Sequence, residues 1–155
     1  MDMLVKLYDL PEINVLLGSL AGSGILVRRG LVPEKHIVIS WVAATFSQAW
    51  SSECQMSFSR HPVSCFLAVK ENTLVGFACY EATFKGYFGP MGVLPGYRGR
   101  GIGKALLISC LKAMAEEGYQ YAIIGGVGPA EFYVKTVAAI EIPGSTPGGY
   151  RGMLK

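Results

Sequence analysis

The chain has 155 residues, 51% of them hydrophobic and 16% charged, which excludes a disordered chain and suffices for a sizeable core. Fourteen Lys and Arg against eleven Asp and Glu leave a net charge of +3, too little to argue for nucleic acid. The longest apolar stretch, residues 37–46, is too short to span a bilayer, and no secretory signal pattern opens the chain, so a soluble cytoplasmic protein without a membrane partner is expected.

In chain order, residues 3–8 alternate loosely and read as a short strand or an extended arm. Pro11 starts a short helix to about Leu20, closed by the Gly22-Ser23-Gly24 turn. Residues 25–29 read as a strand. Pro33 and Glu34 suit the first turn of a helix whose apolar face is expected from Ile37, Trp41, Ala44 and Phe46. A second helical segment, residues 47–59, carries Trp50, Cys54 and Phe58 at near-helical spacing and stops at Pro62. The period then changes. Residues 65–69 and 74–83 form an antiparallel hairpin around Lys70-Glu71-Asn72, and residues 87–94 make a further strand. The strongest helix spans residues 102–117, with Ile102, Leu106, Cys110 and Ala113 on one stripe, widened by Leu107, Leu111 and Met114. Gly118 ends it. A buried strand (119–124), a short helix (131–137) and closing strands at 139–142 and 150–154 complete the order. The fold class is mixed α/β: helices flanking a largely antiparallel sheet, in one domain.

Four cysteines, Cys54, Cys65, Cys79 and Cys110, form no C-x-x-C pair and share no ligand spacing with His36 or His61. They read as free thiols of a reducing compartment, and no metal is expected.

The most informative stretch is Val93-Leu94-Pro95-Gly96-Tyr97-Arg98-Gly99-Arg100-Gly101-Ile102-Gly103-Lys104. A strand ends at a proline, glycines alternate with cations, and a helix begins. Glycines let backbone N–H groups approach a ligand, and the first helical turn has unpaired donors at the positive end of its dipole. Together they make a seat for a phosphate or diphosphate. A Walker A loop is excluded: Arg98 stands where its first glycine belongs, and Ala105 replaces the magnesium-binding hydroxyl. G-x-G-x-G also departs from the dinucleotide fingerprint G-x-G-x-x-G.

With this turn, the sequence resembles the GNAT superfamily of acyl-CoA-dependent N-acetyltransferases. The superfamily's motif Q/R-x-x-G-x-G/A appears as Arg98-Gly99-Arg100-Gly101-Ile102-Gly103, and its F-Y-x-K segment as Phe132-Tyr133-Val134-Lys135. The resemblance covers the chain from Ile25 onward, so residues 1–23 are expected to be an N-terminal extension. It implies a GNAT-like fold and acetyl transfer from acetyl-CoA, the co-substrate, to a primary amine of a small molecule or peptide, by direct attack. It implies that the backbone of Arg98, Gly99, Arg100, Gly101, Ile102, Gly103 and Lys104 holds the diphosphate. The pantetheine would lie along Met91 and Val93, with the Val93 N–H polarising the thioester carbonyl and Gly92 permitting a bulge that parts two parallel strands. Tyr133 is the expected acid for the leaving thiolate, and Glu81 or Glu53 the base. Tyr80, Phe84, Tyr87, Phe88, Tyr150 and Arg151 are candidates for the acceptor side. The resemblance leaves room for a homodimer.

Two departures stand out: Gly126-Val127-Gly128-Pro129 replaces the asparagine that often precedes the F-Y segment, and Thr136-Val137 the usual Gly-Phe. They keep open a second reading, a non-catalytic acetyl-CoA or CoA sensor. A nucleic-acid binder is the weakest of the three.

Overall fold

The computed structural model describes residues 1–155. Its elements are β1 (Met3–Lys6), α1 (Asn14–Gly22), β2 (Ile25–Arg29), α2 (Lys35–Thr45), α3 (Gln48–Ser57), β3 (Cys65–Lys70), β4 (Thr73–Tyr80), β5 (Tyr87–Val93), α4 (Ile102–Glu116), β6 (Tyr121–Ile124), α5 (Ala130–Val137) and β7 (Ile140–Glu141). One seven-stranded sheet runs β2-β3-β4-β5-β6-β1-β7. Every pairing is antiparallel except β5 with β6. The mixed, mostly antiparallel class expected from the sequence is what forms.

Alternating strand residues feed two cores. Ala68 and Ala78 join 25 buried residues dominated by α4, whereas Leu67 and Phe77 join 10 buried residues beneath α2 and α3. All seven residues expected to form the apolar stripe of α4 are buried in the first core. The β3–β4 hairpin turns on Glu71 (φ +49°) and Asn72 (φ +62°), left-handed positions that asparagine tolerates better than most residues. Ser47 caps α3, its hydroxyl accepting from the Trp50 N–H at 3.1 Å.

Residues 1–23 supply β1, an interior strand paired with β6 (Met3 opposite Ile124, Lys6 opposite Tyr121) and with β7. Three expectations are corrected. α2 buries Val38 and Val42, while Ile37 is exposed. Seven of its eleven residues are apolar, so nearly any face fits the periodicity, and the sheet beneath decides. Residues 150–154 form no strand; a single helical turn (Gly148–Tyr150) and a further turn end the chain, where the positive φ of Gly148 (+76°) and Gly152 (+78°) takes the backbone out of an extended course. The bulge is not at Gly92, which pairs regularly with Phe77. It lies at Gly89-Pro90, where three steps of β5, from Phe88 to Met91, match two of β4, from Tyr80 to Ala78. Proline has no N–H to give the ladder and glycine supplies the φ of +119°, so the irregularity settles there.

Candidate functional site

The parallel pairing of β5 with β6 is short. Tyr87 lies opposite Ile123 and Phe88 opposite Ile124; β6 then ends and the chain turns away through residues 125–129. The rest of β5 has no strand on that side. The Leu94 N–H donates to the Val75 carbonyl in β4, so by alternation the polar backbone groups of Met91 and Val93 point away from β4, toward the gap. A cleft of about 560 Å³ opens there. Met91, Gly92 and Val93 form its wall, the start of α4 its floor, Phe46 and Trp50 one rim, and Pro129 and Phe132 the other.

At the floor, residues 99–104 present six consecutive N–H groups with no backbone acceptor; the first helical bond of α4 is from the Ala105 N–H to the Gly101 carbonyl. Gly101, at the N-cap position, has φ +87° and no capping side chain. A Cβ there would stand 2.7 Å from Leu16 Cδ1, so glycine is required by both conformation and space. Gly99 also has positive φ (+77°) but open surroundings. Arg98, Arg100 and Lys104 are exposed around this ring. Arg98 Nε donates to the Val93 carbonyl at 3.1 Å, and the Arg100 guanidinium stacks 4.9 Å from the Tyr97 ring centre. Thus eight of the nine residues expected to hold the coenzyme line one cleft, Arg100 alone not being among them, and the unpaired N–H groups there suit an anion.

Gly92 serves another purpose than the expected bulge. A Cβ on it would fall 2.4 Å from the Phe46 ring, so its hydrogen lets that ring seat against β5. Phe46 in turn packs with Trp41, Trp50 and Phe77 at centroid distances of 5.3–5.6 Å.

The three candidate catalytic residues are separated. Tyr133, on α5, packs its ring edge-on against Phe88, where the β5–β6 pairing ends (centroids 6.4 Å apart). Its hydroxyl has no intrachain partner, yet it is not sealed from open space. Burial of the side chain pushes its pKa up to about 12. Glu81, like Tyr133 and Glu53, is not among the residues that line the cleft. Its carboxylate is almost enclosed, accepts from the Gly86 N–H and from the Tyr119 hydroxyl (3.1 Å), and lies 3.9 Å from the Arg60 guanidinium. Both carboxylate oxygens are in structural use, holding the β4–β5 connection to the end of α4. Glu53, one turn beyond Trp50 on α3, accepts from the Thr83 hydroxyl at 2.5 Å and from the Tyr150 hydroxyl. Burial, then this bond to Glu53, raises Tyr150 to about 12. Phe84 connects Tyr150 and Tyr87 (centroids 5.5 and 5.0 Å), so two carboxylate-linked hydroxyls and three aromatic rings cluster beside Glu53. Arg151 is exposed and makes no side-chain contact of note.

The sequence reading missed three contributors. Leu16 of α1 supports the turn at Gly101, and Asp2, buried, accepts from the Gly126 N–H at 3.0 Å and fixes the loop after β6. Thr83 orients Glu53. Each acts across more than twenty-five residues of sequence, and no local pattern announces it.

Comparison with known proteins agrees with this geometry. The profile of the acetyltransferase (GNAT) family matches residues 35–133. An N-alpha-acetyltransferase, MAK3 from Arabidopsis thaliana, is 40% identical over 62 residues, covering 37% of this chain and 33% of that protein. Among solved structures, a GCN5-related N-acetyltransferase from Sphaerobacter thermophilus superposes with a TM-score of 0.64 at 21% identity, covering 90% of this chain and 47% of that one. A GNAT family acetyltransferase from Brucella melitensis, solved with acetyl-CoA, gives 0.56 at 17% identity over 72% and 80% of the two chains. The glucosamine N-acetyltransferase region of a fungal multi-domain β-N-acetylglucosaminidase gives 0.69 at 16% identity, over 88% of this chain and 19% of that one. This chain thus spans a third of the curated relative and under half of two of these solved proteins. No helix is long and apolar enough to cross a membrane.

Proposed function

This chain belongs to the acetyltransferase (GNAT) family, and on that premise we propose that it moves the acetyl group of acetyl-CoA to a primary amine that attacks the thioester directly. The observation that carries the proposal is the row of six unpaired N–H groups at residues 99–104, opening onto a cleft walled by the unpaired side of β5. The diphosphate seats on those donors, where the helix dipole adds to them. The pantetheine amides extend along Met91 and Val93 as an added strand would. The Val93 N–H points to the thioester carbonyl and stabilises the oxyanion that forms on attack.

The sulfur leaves as a thiolate that takes a proton. Tyr133 supplies it: burial holds that proton on the phenol at any pH below about 12, and no internal partner competes for it. Of the two carboxylates, Glu53 is the one left for the acceptor amine, since Glu81 is committed to the β4–β5 connection. A protonated amine entering beside Trp50 would displace the Tyr150 hydroxyl from Glu53 and hand its proton to that carboxylate before attack. The relative described as an N-alpha-acetyltransferase makes a peptide α-amine the first acceptor to try.

The test is release of free CoA thiol from acetyl-CoA in the presence of peptide α-amines, lysine side chains and polyamines. Turnover with one class and not the others supports the reading. Saturable acetyl-CoA binding with no transfer to any amine would instead favour a sensor, a reading that the complete engagement of Glu81 and the Tyr150 cover on Glu53 sustain. Tyr133→Phe is expected to lower kcat by about 10²-fold while leaving KM for acetyl-CoA and the unfolding midpoint close to wild type, because no hydrogen bond is lost. Unchanged turnover would remove Tyr133 from the proton path.

A further inference from the structure

The second core, beneath α2 and α3, holds a feature that acetyl transfer does not use. Cys65 and Cys79 lie directly opposite each other across the β3–β4 ladder, so their side chains leave the sheet on one face. Cys54 descends onto them from α3. All three are fully buried, and their sulfurs lie within 4.8 Å of one another. We propose that Cys54, Cys65 and Cys79 form a three-coordinate site for a single thiophilic monovalent ion, Cu(I).

Three sulfurs about 2.3 Å from a central ion in a plane stand about 4.0 Å apart, within the separation the fold imposes. The coordination number selects the ion. A structural Zn(II) site needs four ligands, and no fourth is available. Cys110 sits on the other face of the sheet, its thiol turned to the Ala78 carbonyl at 3.6 Å, and His36 and His61 are exposed. Water cannot complete the sphere, because Val38, Val42, Phe58, Leu67 and Phe77 close the surroundings. Soft thiolates with no hard ligand and no solvent favour Cu(I).

The ligands are held before any ion arrives. The Ser57 hydroxyl donates to the Cys54 carbonyl at 2.6 Å, the Ser64 N–H to the Ser57 carbonyl and the Tyr80 N–H to the Ser64 carbonyl, both at 3.0 Å. This chain of bonds ties the cysteine-bearing turn of α3 to the adjoining ends of β3 and β4. Because the site is sealed, the ion enters either as the chain folds or when α3 lifts.

The test uses the fully reduced, oxygen-free full chain and Cu(I) held by a chromophoric chelator, supplied to the folded protein and, separately, during refolding from denaturant. The expected result is removal of one equivalent per chain from the chelator in at least one mode. Cys54→Ser and Cys65→Ser should lose it, and Cys110→Ser should retain it. X-ray absorption on the loaded wild type should show three sulfur neighbours, a readout that stands even if the serine variants fail to fold. No transfer in either mode, a Cys54→Ser protein that takes up as much copper as wild type, preference for Zn(II) over Cu(I), or fewer than three sulfurs around the ion would each overturn the assignment and leave three neighbouring thiols of an ordinary core.

Discussion

The two ends of α4 are built on opposite plans. At the C-terminal end the carbonyls of Ala113, Met114 and Ala115 all find donors from beyond the last turn. The Gly118 N–H bonds to Ala115 and the Tyr119 N–H reaches back to Met114, a Schellman closure with Gly118 at φ +106°. Glu117 and Glu81 then share Arg60 (3.3 and 3.9 Å), and Tyr119 bonds Glu81. At the N-terminal end, residues 99–104 leave six donors unmet, and the cap position is a glycine with no side chain to satisfy them. A helix that is finished at one end and unfinished at the other, with the unfinished end in a cleft, teaches where stability was given up for a ligand.

The comparison can be broken most forcefully in the body that both ends share. Leu106 is fully buried against Gly76, and Leu106→Ala should destabilise the fold by about 3 kcal/mol in urea unfolding. A loss under 1 kcal/mol would mean that α4 is not the anchor of the larger core. Gly101→Ala sharpens the picture at the open end. Its positive φ and the clash with Leu16 should cost about 2 kcal/mol and weaken acetyl-CoA binding together. Stability lost with affinity intact would detach this turn from the ligand. At the closed end, Glu81→Gln should cost about 1–2 kcal/mol by weakening charge-assisted bonds, with acetyl-CoA affinity unchanged. A collapse of turnover at full stability would return Glu81 to the chemistry. The smallest effects belong to the cations. Arg98, Arg100 and Lys104 are exposed, so replacing any one with Ala should weaken binding by about 0.5 kcal/mol, roughly twofold in Kd. A hundredfold loss from one of them would show that side chains, not main-chain donors, hold the coenzyme.

How legible each part was follows from how local its cause is. The open end of α4 was readable because strand, proline, glycines and helix are contiguous in sequence, and the chemistry depends on backbone that only those residue types permit. The α4 stripe was equally plain, since periodicity and burial coincide there. The α2 face was not, because an almost wholly apolar helix lets the sheet choose which side to bury. The interior position of β1 was hidden: four residues at the chain's start pair with residues 121–124, and nothing in Met3–Lys6 records its partner. The same holds for the candidate site. Tyr133 was singled out through its motif, but the hold of Tyr150 and Thr83 on Glu53, and that of Gly86 and Tyr119 on Glu81, arise only from the fold. The grouping of Cys54, Cys65 and Cys79 is a matter of strand register, which residue spacing along the chain does not express.

Isothermal titration of the folded wild-type chain with acetyl-CoA tests the central claim most directly. The account predicts one saturable site per chain, competed by CoA and by a CoA fragment that retains the diphosphate, and weakened in Gly101→Ala. Absence of heat with both acetyl-CoA and CoA, or binding indifferent to loss of the diphosphate, would contradict it.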